Sequence, residues 1–148
     1  MELSHLGLFA SAFTSATLLP GSSEVLLLAL LLQGQDPLAL WLVATTGNVL
    51  GSCVNWCLGR VALRFRRRVW FPVAPRTLAR AQLRFRRWGR PVLLLSWLPV
   101  VGDAFTVAAG VMRVRLAPFL LLVTLAKGGR YAVLMGAAEG IGRSFGWA

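Results

Sequence analysis

The strongest constraint on this chain is a set of four apolar blocks, two unbroken and two cut near the middle by proline, glycine and an acid. Residues 38–59 and 116–139 each supply about twenty mostly apolar positions, which at 1.5 Å per residue is enough to cross a hydrocarbon core of about 30 Å. Residues 6–32 and 91–112 instead contain Leu18-Leu19-Pro20-Gly21-Ser22-Ser23-Glu24 and Trp97-Leu98-Pro99-Val100-Val101-Gly102-Asp103. Proline deletes a helical hydrogen bond and glycine weakens what remains, so Pro20, Gly21, Pro99 and Gly102 predict that each of these blocks folds as a broken helical hairpin. Composition agrees, since 57% hydrophobic and 14% charged residues with a mean hydropathy of +0.68 are too apolar for a soluble domain of 148 residues. The expectation is one all-α membrane domain.

The two broken blocks match each other. Each has Leu-Pro, an acid four residues after the proline (Glu24, Asp103) and a hydroxyl three before it (Thr17, Ser96). Carried forward at the same offset, the register sets Asn48 against Lys127 and Gly51 against Arg130. The pattern reads as an internal repeat of the kind seen in duplicated transporters, whose paired segments are interrupted by glycine and proline.

Charge distribution bears on topology. The chain carries +11, most of it in the basic segment 60–90. If all four blocks crossed the bilayer, that segment and Arg113-Val114-Arg115 would lie on opposite sides, against the positive-inside rule. If the broken blocks are re-entrant, both basic regions face the cytoplasm and the loop with Asp36 faces out. Each half is then one hairpin plus one span, the second copy is inverted relative to the first, and both termini lie outside. Within the basic segment Leu78, Leu83, Phe85 and Trp88 interleave with Arg80, Arg84, Arg86, Arg87 and Arg90, which suits either a helix lying on an anionic leaflet or a solvated loop. Nucleic acid is a poor partner, because the arginines interrupt apolar blocks and no nucleic-acid motif is present.

Ionisable groups at membrane depth are costly and are retained mainly where they have a task or a partner. By that test Glu24, Asp103, Lys127 and Arg130 are the candidate site. Glu24 and Asp103 each fall in the first turn of a half-helix that starts inside the membrane, where free backbone N–H groups favour a carboxylate. Lys127 and Arg130, three apart, share a face of the last span. One reading makes them ion pairs that let the hairpins insert. The other makes the carboxylates proton-responsive and gives Arg130 and Lys127 an anionic group to bind, in a cavity lined by Asn48, Thr17 and Ser96. Asn48 and Asn55 share a face with Gly51 and Ser52, while Gly47-x-x-x-Gly51 and Gly136-x-x-x-Gly140 are patterns for close helix approach.

Other features carry less. Cys53 and Cys57, four apart in an apolar stretch, are badly placed for a disulfide, and His5 has no carboxylate or cysteine beside it. The first thirty-three residues lack the basic start of a secretory signal and are expected to be mature structure. No nucleophile with its base, metal-ligand cluster or cofactor motif is present, so neither enzymatic activity nor a cofactor or metal is expected.

Phe13 to Glu24, Gly47-Asn48, Leu95 to Asp103 and Lys127 to Arg130 with Tyr131 together resemble the YqaA branch of the DedA superfamily, whose shared module is called the VTT or SNARE-associated domain. The resemblance implies a multi-pass bacterial inner-membrane protein with two re-entrant hairpins facing each other. It also implies movement of lipids, including polyisoprenyl phosphates and phospholipids, or upkeep of the proton gradient. This chain departs from the transport members in having Ser96 and Gly102 where they carry arginines, and in placing Glu24 two residues beyond the position that follows Pro-Gly directly. Glu24 and Asp103 therefore rest on position and chemistry, not on matched identity. The expected function is a lipid translocase for anionic or polyisoprenyl-phosphate lipids, or a proton-coupled transporter, with membrane lipids and their anionic headgroups as partners. The alternative is a non-transporting scaffold or membrane-homeostasis protein acting through its basic segment. A homodimer through the glycine faces is compatible with either.

Overall fold

A computed structural model describes residues 2–16, 21–65 and 73–144, and the regular structure among them is helical. The helices are α1 (Glu2–Ser15), α2 (Ser22–Leu32), α3 (Pro37–Phe65), α4 (Pro75–Trp88), a 3₁₀ helix (Arg90–Trp97), α5 (Val101–Val111) and α6 (Leu116–Ser144). Thr17 and Pro20 lie outside the described residues, as does the arginine-rich stretch 66–72.

Helical structure is interrupted within both broken blocks, between α1 and α2 and between the 3₁₀ helix and α5. Gly21 ends the first break with φ of 94°, a left-handed value that glycine adopts without steric cost, and its carbonyl accepts the amides of Glu24 and Val25 to start α2. The Ser15 and Ser22 hydroxyls bond at 2.9 Å and the Ser23 amide donates to Ser15 Oγ at 3.3 Å, so the chain doubles back directly after α1. In the second block the first arm is a 3₁₀ helix of eight residues. At about 2.0 Å rise per residue it is about 16 Å long, so this short arm reaches further than the same residues would as an α-helix. Its break is a tight γ-turn at Val100, φ 63° and ψ −58°, closed by the Val101 amide on the Pro99 carbonyl at 2.6 Å. That conformation is strained for a β-branched residue.

The two halves have matching element boundaries. At one constant offset Ser22 falls on Val101, Leu32 on Val111, Pro37 on Leu116 and Phe65 on Ser144, so α2 and α5 both have 11 residues and α3 and α6 both have 29. The exits of α2 and α5 share a hydrogen-bond pattern as well, with the Gln35 amide returning to the Leu30 carbonyl and the Val114 amide to that of Ala109. Asp36 then caps α3 through both carboxylate oxygens, with Pro37 at the first helical position. Both long helices outrun the 38–59 and 116–139 of the apolar pattern, because arginine is a good helix former and helix propensity continues past the apolar run.

α3 and α6 cross antiparallel. Leu40 and Ala44, early in α3, pack with Tyr131 and Met135, late in α6, whereas Val49, Cys53 and Trp56 pack with Phe119 and Val123. Each end of the crossing has an indole donor, Trp41 Nε1 to the Gly128 carbonyl at 2.8 Å and Trp56 Nε1 to that of Val114 at 3.1 Å. α1 lies along α3 at Gly47 and Gly51, where a Cβ would strike the carbonyls of Phe9 and Phe13. α5 meets α3 at Gly59 and Gly110, where a Cβ would strike the carbonyls of Val107 and Trp56. Gly136, by contrast, has no described atom within 4 Å of where a Cβ would sit.

The two long helices expose apolar side chains while several polar ones lie within the fold. Leu42, Leu50 and Val54 of α3 and Leu121, Leu125 and Val133 of α6 are exposed, while Asn48, Ser52, Asn55, Thr106 and Lys127 are buried. A soluble protein buries the first set and hydrates the second. The two 25-residue apolar runs Pro37–Val61 and Leu116–Gly140 are long enough to cross a bilayer, and their exposed faces suit lipid.

α4 resolves the alternatives left open for residues 75–88: they form a helix. It packs on α5 and on the 3₁₀ helix through Leu78, Ala81 and Phe85, whereas Leu83 and Trp88 point outward with the arginines. The four apolar residues that the sequence sets together thus serve two faces, one against protein and one away from it.

Candidate functional site

Four ionisable groups at the two breaks sort into two pairs. Lys127 Nζ lies 3.0 Å from Asp103 Oδ1, and the Arg130 guanidinium pairs with the Glu24 carboxylate. The spacing of Lys127 and Arg130 on α6 makes this possible: side chains three apart diverge modestly from one face, so one reaches the start of α5 and the other the start of α2.

The environments of the two pairs differ. The Lys127 side chain is 4% exposed and also donates to Asn48 Oδ1 at 2.5 Å. Asn48 Nδ2 donates to the Tyr131 hydroxyl at 2.8 Å, and that hydroxyl bonds Ser23 Oγ at 2.9 Å. A continuous polar seam therefore runs from Asp103 at the second break to Ser23 at the first, one residue from Glu24. Two helical turns beyond Asn48, Asn55 Nδ2 donates to the Ala16 carbonyl at the end of α1 (2.7 Å) and to Thr106 Oγ1 on α5 (3.3 Å). Asn48, Ser52 and Asn55 give α3 a buried polar face that ties both breaks to it.

The Arg130–Glu24 pair is more open, at 17% and 24% side-chain exposure. It borders a cavity of about 560 Å³ whose other walls include Trp97, Pro99, Ala126, Gly129 and Val133. Trp97 and Val133 are 48% and 71% exposed, so the cavity opens through an apolar rim. Its chemistry is one guanidinium and one carboxylate in an apolar mouth, facing outward from the helices that would meet lipid. This geometry suits an amphiphile whose headgroup bears an anion, because a guanidinium takes two phosphate oxygens at once.

Sequence reasoning placed all four charges around one cavity, and the structure separates them. Asp103 and Lys127 do not border the open cavity. Asn48 does not line it either, being held between Lys127 and Tyr131, because the close α3–α6 crossing leaves no space beside it. Ser96 is buried, its hydroxyl has no partner among the described residues, and its carbonyl lies where a Cβ on Gly102 would sit; it is not among the residues that line the cavity. Pro99 does line it, while Gly102 serves the tight packing of α5 on the 3₁₀ helix. Tyr131, Ser23 and Trp97 were not singled out as site residues. The one usable signal was Tyr131 itself, the only tyrosine of the chain, one helical turn after Lys127 within an apolar span. Among the described residues no cluster of three or more His, Cys, Asp or Glu suits a metal ion.

Comparison with known proteins places these residues in context. The family model described as VTT domain matches residues 19–139. The inner membrane protein YqaA of Escherichia coli (strain K12) is 44% identical over 138 residues, covering 91% of this chain and 91% of the relative, and YqaA of Shigella flexneri matches equally. A protein of Haemophilus influenzae is 45% identical over 136 residues, covering 86% of this chain and 83% of that one. No solved structure matches.

Proposed function

Because the chain belongs to the VTT-domain (DedA) family of bacterial inner-membrane proteins, we propose that it carries an anionic lipid headgroup past the hydrophobic core through the cavity at Arg130 and Glu24. The observation that carries this reading is the contrast between the two ion pairs. Both carboxylates are partly exposed, Asp103 at 19% and Glu24 at 24%, but Lys127 is buried and also bonded to Asn48, whereas Arg130 and Glu24 border a cavity with an apolar mouth.

In this reading a phosphate displaces Glu24 from Arg130, and the released carboxylate takes up a proton, so that neither charge is stranded in a poorly solvated site. Proton uptake then accompanies substrate binding. Lys127 and Asp103 hold α5 to α6 and keep the second break in place instead of binding substrate. The two halves act as inverted repeats, each a re-entrant hairpin followed by a span. Support comes from the matched element boundaries and the antiparallel run of α3 and α6. With the basic segment in the cytoplasm, Arg113 and Arg115 fall on the same side and both termini on the other. The alternative of a scaffold acting through its basic segment gives the open pair and its cavity no task.

The test is lipid flip. Purified protein in liposomes should accelerate movement of a labelled anionic phospholipid between leaflets, and both Arg130→Ala and Glu24→Gln should reduce the rate to near that of protein-free liposomes. Wild-type rates equal to protein-free liposomes, or an unimpaired Arg130→Ala, would remove the proposal.

A further inference from the structure

The outer face of α4 carries cations that no described carboxylate answers. Arg80, Arg84 and Arg87 recur at spacings of four and three, which lines them along one side of the helix, and all three are exposed. The described acids have other engagements: Glu24 and Asp103 are in the two ion pairs and Asp36 caps α3. Glu139 is in the last part of α6, remote in sequence from α4 and in neither pair.

Arg84 also borders an open groove of about 420 Å³ whose remaining walls are Trp88, Pro91, Val92, Leu94 and Leu95. One end is a guanidinium and the rest is apolar. Trp88, Leu94 and Leu95 are 66%, 43% and 38% exposed, and the Arg87 guanidinium lies 5.8 Å from the Trp88 ring. Arginine beside tryptophan at the end of an apolar segment is the composition of a headgroup boundary. The groove is built in advance, because Leu78, Ala81 and Phe85 pin α4 to the protein and the 3₁₀ helix starts at Arg90, just past the Trp88 end of α4. A surface helix that floats on a leaflet gathers anionic lipid loosely; an arginine carried by a docked helix beside an apolar slot suits one molecule with both parts.

We infer that this groove holds a single anionic phospholipid of the leaflet on the arginine-rich side. Its phosphate sits at Arg84 with Arg80 and Arg87 alongside, and the start of an acyl chain lies along Trp88, Val92, Leu94 and Leu95. The site shares no wall with the Arg130 cavity and requires no transport, so it stands whether or not lipid flip is observed.

Native mass spectrometry of the full-length protein, delipidated and offered equal amounts of phosphatidylglycerol and phosphatidylethanolamine, tests it. The Arg130→Ala protein, in which the other cavity has lost its cation, should retain one phosphatidylglycerol with a preference of about tenfold or more, as expected where several arginines meet one phosphate. Adding Arg84→Ala with Trp88→Ala should bring that preference close to parity, and adding Arg84→Lys instead should keep part of it. Both α4 side chains are exposed, so the fold is retained. Equal retention of the two lipids by the Arg130→Ala protein would overturn the inference. So would a preference that survives the added double substitution, or complete displacement of the lipid by inorganic phosphate.

Discussion

Replacing Lys127 by methionine removes the cation from the buried seam while keeping roughly its length, and leaves Asp103 and Asn48 Oδ1 without their donor. Two charges 3.0 Å apart attract by about 5 kcal/mol at an effective dielectric of about 20. Breaking a buried pair from one side costs about 3–5 kcal/mol, because the remaining charge is stranded. Ordinary hydrogen bonds between membrane helices are worth about 0.6 kcal/mol on average, so the stranded charge dominates the loss. A loss of about 4 kcal/mol lowers the midpoint of thermal unfolding by about 8–16 °C in a chain of this size. The double variant Lys127→Met with Asp103→Asn should recover most of that loss, with about 1–2 kcal/mol remaining for the unbonded Asn48 carbonyl. The assay is a double-mutant cycle on the detergent-solubilised protein, followed by thermal unfolding, in which the double variant should be more stable than Lys127→Met alone by about 2–3 kcal/mol. Additive losses, or a single variant as stable as the wild type, would refute the account of the seam as a structural ion pair.

Two further expectations concern packing and topology. Gly110→Ala should lose well over 1 kcal/mol and shift unfolding clearly downward, since its Cβ meets the Trp56 carbonyl, whereas Gly136→Ala, facing open space, should be neutral or gain up to about 1 kcal/mol from helix propensity. Equal effects of the two would contradict the α3–α5 crossing. In a variant freed of Cys53 and Cys57, single cysteines at Arg86 and Arg113 should react with an impermeant maleimide from the same side of the membrane. Reaction from opposite sides would exclude re-entrant hairpins.

Much of this architecture is legible in one dimension, because it follows from local chemistry. Proline and glycine break helices wherever they fall, which is why the interruptions before Glu24 and Asp103 appear where the residues predict them. An apolar run of bilayer length is readable for the same reason, as is the cost of a charge inside it, which singles out Glu24, Asp103, Lys127 and Arg130.

What the linear chain leaves undecided depends on how helices cross. Lys127 and Arg130 look equivalent as letters, yet the antiparallel approach of α3 to α6 buries Lys127 against Asn48 and leaves Arg130 beside a cavity. Tyr131 becomes the link between Asn48 and Ser23 only because that crossing brings α2, α3 and α6 within hydrogen-bonding reach. Leu78 and Trp88 have the same apolar character, and only the docking of α4 on α5 turns one inward and the other outward. Sequence fixes the energy penalty of each group, but the partner that offsets it is chosen by three-dimensional contact between residues far apart in the chain.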